Sequence, residues 1–138
     1  MQWMLLPYRR YFEFSGRSRR MEYWMFTLFG ILVNAAITVV FGRTAYTSMG
    51  WYVGVNTQLN VVGDIVSGLF ALFNLIPSLA VLVRRLHDVD RSGWWLLLVF
   101  LPILGWFVLF IFTCLDGTRG PNRFGLDPKN PNDVDVFL

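Results

Sequence analysis

Residues Tyr23–Phe41 read YWMFTLFGILVNAAITVVF, nineteen positions without a charged side chain. At about 1.5 Å of rise per residue, a helix of this length reaches roughly 28 Å, close to the ~30 Å hydrocarbon core of a bilayer. Two further charge-free stretches follow, Ile65–Val83 with nineteen residues and Gly93–Leu115 with twenty-three. Backbone polar groups in lipid must be satisfied within their own segment, so each stretch is expected to be a helix. The alternating segments of about ten residues that build a membrane β-barrel are missing.

Composition agrees with a membrane-embedded chain. Of 138 residues, 55% are hydrophobic, 17% aromatic and only 15% charged, against roughly 25% charged in a soluble domain. Disorder needs few apolar groups and much charge, so it is excluded. A soluble globule of this size has too much surface to hide so many apolar side chains. The expected architecture is an all-α polytopic membrane protein in one domain. It comprises an amphipathic interfacial segment (1–22), membrane helices at 23–41, 65–83 and 93–115, and an irregular polar tail (116–138). Trp3, Leu5, Leu6, Tyr8, Tyr11, Phe12 and Phe14 alternate with arginines in the first segment. That pattern suits either the headgroup layer or packing over the inner helix ends.

Pro102 and Gly105 interrupt the third stretch. A single span kinked at Pro102 is the favoured expectation, because two arms of about ten residues would reach only the midplane. A re-entrant segment is the alternative. Lys and Arg counts orient the chain. Residues 1–22 carry five, the loop 84–92 three, the loop 42–64 one and the tail three. Three spans give eight inside and four outside, with the N-terminus cytoplasmic and the tail outside. A reversal at Pro102 gives eleven against one.

Arginine supplies nearly all of the positive charge, with eleven Arg and a single Lys against nine acids. The arginines flank apolar blocks rather than forming a soluble basic face, so nucleic acid is not an expected partner. Expected partners are membrane lipid, anionic headgroups in particular, and a second copy or another membrane protein. Arg17, Arg19, Arg20, Arg84, Arg85 and Arg91 are the candidates for lipid or partner contact, because guanidinium holds phosphate bidentately. Orientation alone accounts for the same charges. Glu22 is the expected partner of Arg84 or Arg85. One cysteine and one histidine exclude a disulfide framework and a conventional metal site. No metal and no cofactor are expected.

His87-Asp88 invites an acid–base reading; a structured turn with local Arg–Asp pairs is favoured over it. Asp64 is expected at a solvated helix start. Asn34 and Asn74 lie on small, polar faces of the first two spans, near the midplane, and are expected to meet in a packing seam. A pore lined by Asn34, Asn74 and Pro77 is the rival use, and a lipid-acting enzyme built on His87 and Asp88 is another. The leading expectation is a non-enzymatic accessory or scaffold protein.

Three motifs stand in order between the apolar blocks: Phe14-Ser-Gly-Arg-Ser-Arg-Arg-Met-Glu-Tyr-Trp24, Arg84-Arg-Leu-His-Asp-Val-Asp-Arg-Ser-Gly-Trp94 and Gly120-Pro-Asn-Arg-Phe-Gly-Leu-Asp-Pro128. Together they resemble the small bacterial inner-membrane proteins of the family called domain of unknown function 805, over about residues 8–128. The resemblance implies a multi-pass protein of the bacterial cytoplasmic membrane and assigns no activity. The positions that match are Gly16, Arg17, Arg20, Glu22, Tyr23, Trp24, Arg84, Arg85, His87, Asp88, Ser92, Gly93, Trp94, Asn122, Arg123, Gly125, Asp127 and Pro128. The first loop is longer than in the shorter members.

Overall fold

A computed structural model describes residues 2–49 and 52–129 of the chain. In order these form α1 (Gln2–Arg9), α2 (Arg20–Phe41), β1 (Gly42–Met49), β2 (Tyr52–Leu59), α3 (Val61–Asp88), a 3-10 helix (Gly93–Phe100) and α4 (Leu104–Cys114). The chain divides into two compact units, one of Met1–Thr27 with Ile76–Leu138 and one of Leu28–Leu75.

α2 and α3 are long and apolar enough to cross a membrane. Only 11% and 17% of their apolar windows are buried, which is not how the core helix of a soluble protein behaves. Leu69, Leu72 and Phe73 in one unit, and Phe100, Ile103 and Phe107 in the other, are all more than half exposed, as suits an apolar surrounding. Both helices exceed the expected spans, α3 most of all. Arg84, Arg85, His87 and Asp88 lie in its last turns rather than in a loop.

In the unit Leu28–Leu75, β1 and β2 form an antiparallel hairpin with Gly42 opposite Leu59 and Met49 opposite Tyr52. The described residues are otherwise mostly helical, so the all-α, membrane-like expectation holds apart from this hairpin. The stretch is rich in Thr, Tyr and Val, which suit a pleated strand. Tyr46, Trp51 and Tyr52 are placed in sequence for an interfacial aromatic belt, but Trp51 and the side chains of Tyr46 and Tyr52 lie outside the described residues. Asn60 starts α3 by accepting the Gly63 amide N–H on its Oδ1 at 2.8 Å, an N-cap. Gly63 is buried where an added Cβ would lie 2.6 Å from Phe41 Cβ. Asn34 and Asn74 each donate to the carbonyl four residues back on their own helix, Gly30 and Phe70.

In the other unit, Phe26, Ala80, Val81, Val83, Leu86 and Leu109 make the apolar core. The N-terminal segment packs onto the first turns of α2, with Tyr8 edge-on to Phe26 at 5.3 Å. The third apolar stretch is a hairpin, which corrects the single kinked span. Trp95 meets Phe112 edge-on at 5.3 Å, and Trp106 Nε1 donates to the Val99 carbonyl at 2.9 Å. Across the same contact, a Cβ on Gly105 would sit 1.9 Å from the Leu98 carbonyl oxygen. These pairs close symmetrically around Pro102, so the two arms run antiparallel.

The reversal has local causes. Pro102 offers no N–H, the 3-10 helix ends with Leu101 N–H on the Leu98 carbonyl, and Ile103 turns the chain at φ +65°. Only glycine at 105 allows the backbones to touch. At ~2.0 Å of rise per residue, the 3-10 arm reaches about 16 Å, which matches the about 16 Å of α4.

Gly105→Ala should therefore loosen the hairpin, lowering stability by about 1–3 kcal/mol, the usual range for overpacking. Thermal unfolding in detergent micelles would read this. Gly68→Ala, whose Cβ meets nothing within 4 Å, should leave stability unchanged or raise it.

Candidate functional site

The three sequence motifs converge on one carboxylate. Asp88, at the end of α3, is 2% exposed. Arg85 precedes it by three positions, so both side chains fall on one face of the helix, and Arg85 Nη1 donates to Asp88 Oδ2. Arg17 approaches from the other side and donates from Nε to Asp88 Oδ1 at 3.0 Å. Both guanidinium groups are buried, Arg17 at 5% and Arg85 at 0% exposure.

Their other donors go to backbone carbonyls. Arg17 Nη1 donates to Gly120 at 2.7 Å and Nη2 to Thr118. Arg85 donates from Nε to Thr113 at 3.3 Å and from Nη2 to Leu115. Thr113 and Leu115 belong to the C-terminal end of α4, whose last carbonyls have no partner within the helix and carry partial negative charge. Arg20 takes the intervening carbonyl of Cys114 at 3.1 Å, and Trp24 Nε1 reaches Thr113 at 3.4 Å. Two arginines and a tryptophan thus cap the helix that glycine or water usually would.

The backbone of Asp88 is engaged as well. Its carbonyl accepts from Thr118 N–H at 2.8 Å and Thr118 Oγ1 at 3.2 Å. A Cβ on Gly117 would lie 2.1 Å from Asp88 Oδ2, so glycine is the residue that fits there. The Gly120–Pro128 motif folds as a small loop on this base. Asn122 and Gly125 exchange backbone hydrogen bonds, and Asn122 Nδ2 donates to the His87 carbonyl at 2.9 Å.

His87 and Asp88 do not face each other as an acid–base pair. His87 Nδ1 meets the Gly16 carbonyl at 3.1 Å; a carbonyl only accepts, so that nitrogen carries the hydrogen. The imidazole ring stacks on Phe124 with centroids 3.9 Å apart and planes 4° from parallel. Gly16 itself adopts φ +80°, a glycine conformation that lets the first motif present its carbonyl there.

Glu22 pairs with Arg84, as the sequence anticipates, with Oε1 3.1 Å from Nη2 and both side chains buried. The contact is ionic rather than an aligned hydrogen bond, since neither Nη atom of Arg84 nor Glu22 Oε1 has a hydrogen-bond partner among the described residues. Ser18 N–H donates to the Arg84 carbonyl at 3.1 Å and ties this pair to the first motif.

The six candidate arginines thus divide. Arg17, Arg84 and Arg85 are turned inward. Arg19 is half-buried, donating to the Pro128 carbonyl and lying over the Trp3 ring at 5.5 Å. Arg20 is exposed beside Asp116 at 2.6 Å, and Arg91 is exposed over the Trp95 and Phe112 rings. Arg123 holds Asp90 at 3.1 Å, and Trp94 is 78% exposed. Sequence reading missed the roles of Thr113, Thr118 and Gly117. The run Asp116-Gly-Thr118 directly after an apolar block was the available signal.

Comparison with known proteins bears on the same region. Residues 11–126 match the family model described as "Protein of unknown function (DUF805)". The chain is 45% identical to the inner membrane protein YhaI of Escherichia coli K12 over 129 residues, 94% of this chain and 97% of the relative. It is 43% identical to the inner membrane protein YhaH of the same strain, over 94% of this chain and 98% of that protein. The uncharacterized protein YiiR of that strain is 31% identical, over 86% and 88%. No solved structure matches.

Asp88→Asn should be among the most damaging substitutions in the chain, because it leaves two buried guanidinium groups without a counter-charge. Removing one member of a buried pair costs about 3–5 kcal/mol, so folded protein recovered in detergent should fall sharply. Gly117→Ala should cause a loss in the same direction. Lys129→Gln removes only an exposed pair with Asp116 and should stay within about 1 kcal/mol of wild type.

Asp127 gives a pH signature. Burial pushes its carboxyl upward, but the amide N–H groups of Lys129 and Gly120, with Arg17 nearby, more than reverse this, and it titrates below its ordinary 3.8. A depressed folded value means that the stabilisation is fully present above the unfolded value and is lost as pH falls through the folded one. Amide exchange at Gly120 and Lys129 should accelerate below pH ~4 beyond the intrinsic trend. In Asp127→Asn that extra acid dependence should vanish.

Proposed function

The chain belongs to the DUF805 family of proteins of unknown function, and from that premise we propose a small accessory or scaffold protein of the bacterial inner membrane. It has an arginine-bearing cytoplasmic face that contacts lipid headgroups or a partner protein. α2 and α3 are its two full spans, and the Gly93–Cys114 hairpin is a re-entrant segment. The observation that carries this reading is the return of the α4 carbonyls to Arg85 and Arg20. A hairpin that starts and ends at one polar layer leaves the tail on the same side as residues 1–22. The charge count then becomes eleven against one, a far stronger positive-inside bias than the three-span alternative gives.

The buried arginines lock the helix ends, and the exposed ones, Arg20 and Arg91, are those available to headgroups. The half-buried Arg19 is spoken for by Pro128 and Trp3. The rival readings draw less support. Asn34 and Asn74 amides bond along their own helices, and Pro77 is fully buried, which does not favour a pore lined by them. His87 and Asp88 are separately engaged, which does not favour a lipid-acting enzyme built on that pair.

Reporters fused before Met1 and after Leu138 should both read cytoplasmic. A tail reporter reading outside would restore the single span and remove the common polar face. Carbonate washing of membranes should leave the wild-type chain in the pellet.

A further inference from the structure

Arg91 differs from the other arginines near the polar knot. Its guanidinium carbon lies 5.5 Å from the Trp95 ring centroid and 5.7 Å from that of Phe112. Two aromatic faces therefore hold it in place. Yet it is exposed, and among the described residues its guanidinium group has no hydrogen bond and no ion pair. The acid next to it in sequence, Asp90, is taken by Arg123. A guanidinium positioned by rings, with its N–H donors unused, is prepared for an oxyanion that accepts two of them at once.

The surface beside it is apolar. Trp95 also lines a shallow groove of about 310 Å³ with Trp94, Leu97 and Leu98. A second groove of about 340 Å³, lined by Val83, Gly93, Trp94, Leu96 and Leu97, adjoins it across Trp94 and Leu97. Each lies at the lower end of the ~300–1,000 Å³ range of small-molecule clefts. Trp94, 78% exposed between them, has the amphipathic ring that settles at a headgroup boundary.

We propose that Arg91 and the Trp94–Trp95 grooves form a binding site for one anionic phospholipid, the phosphate on the Arg91 guanidinium and an acyl chain along Trp94, Leu97 and Leu98. This rests on the membrane reading above and names the lipid class and the place. The charge complementarity selects the headgroup. A lone cation without a free neighbouring carboxylate favours a headgroup with net negative charge over a zwitterion, whose ammonium has no acid to meet. The apolar grooves select a chain-bearing molecule over free phosphate. A positive tip at the end of an apolar channel matches a molecule with an anionic head and a hydrocarbon tail.

The test uses the full chain, delipidated in detergent and titrated with dioleoylphosphatidylglycerol, dioleoylphosphatidylcholine or inorganic phosphate, with bound molecules counted by native mass spectrometry. Wild type should take up one phosphatidylglycerol about tenfold more tightly than phosphatidylcholine, the scale of one charge-assisted contact. Arg91→Gln should lose that preference, Arg91→Lys should keep part of it, and Arg43→Gln, an exposed arginine of the other unit, should keep all of it. Trp94→Ala should weaken both lipids while leaving the preference. Equal binding of the two lipids by wild type, an Arg91→Gln protein indistinguishable from wild type, or inorganic phosphate binding as well as phosphatidylglycerol would each overturn the site. The membrane reading fails separately, if carbonate releases the wild-type chain. A carbonate-resistant wild type without lipid preference overturns the lipid site alone.

Discussion

A single carboxylate shared by two buried guanidinium groups governs the polar unit of this protein. Taking Asp88, Arg17 and Arg85 out of water costs several kcal/mol for each ion. That cost is offset only when every donor and acceptor finds a partner in good geometry. Asp88 receives one guanidinium on each oxygen, and the two arginines pass their remaining donors to carbonyls at 113, 115, 118 and 120. The arrangement holds one surplus positive charge, which the four carbonyl dipoles spread. Its members come from the segment before α2, the end of α3, the end of α4 and the loop beyond it. None can leave without stranding a charge. A buried network of this kind is modest evidence for stability and better evidence that one geometry is specified over others.

The same knot explains why the third apolar stretch turns back. A helix C-terminus buried near the membrane must satisfy its last carbonyls, and cations are the favoured neighbours there. Arg85 and Arg20 supply N–H groups to three successive carbonyls of α4. The reversal leaves the last carbonyls at the end of α4 satisfied by arginines of the polar unit. The close approach of Leu98 and Gly105 and the positive φ of Ile103 are its local requirements.

Much of this was legible in the residues, and what was not has identifiable physical causes. The apolar blocks gave α2 and α3, and the three motifs marked the regions that assemble. Glu22 was expected to pair with Arg84 or Arg85 as the nearest candidate cations, and it pairs with Arg84. The span-or-hairpin decision failed because hydropathy and length describe a segment, whereas the outcome is decided by what caps its end. Arm length did not exclude the hairpin, since arms of about 16 Å suffice for a segment that turns back at the midplane. The strand pair at 42–59 was read as a loop because its Thr and Val content was not weighed as strand-forming. His87 and Asp88 suggested a pair because they are adjacent in sequence. On a helix adjacent residues point about 100° apart, so one stacks on Phe124 while the other faces Arg17.

The preference for arginine over lysine now has a mechanical reason. Arg17 reaches one carboxylate and two carbonyls, and Arg85 does the same with different carbonyls. That requires several donors fanned in a plane at fixed spacing, which an ammonium on a flexible stem does not present. The rule divides the arginines by consequence rather than by position. Where the fork is closed by protein acceptors, the residue holds helix ends together and has nothing left for a ligand. Where rings fix the guanidinium but leave its N–H groups unused, as at Arg91, orientation is already provided and only the acceptor is missing. The proposed lipid contact therefore sits at the aromatic-flanked margin, while the motif residues at the centre are closed by protein acceptors.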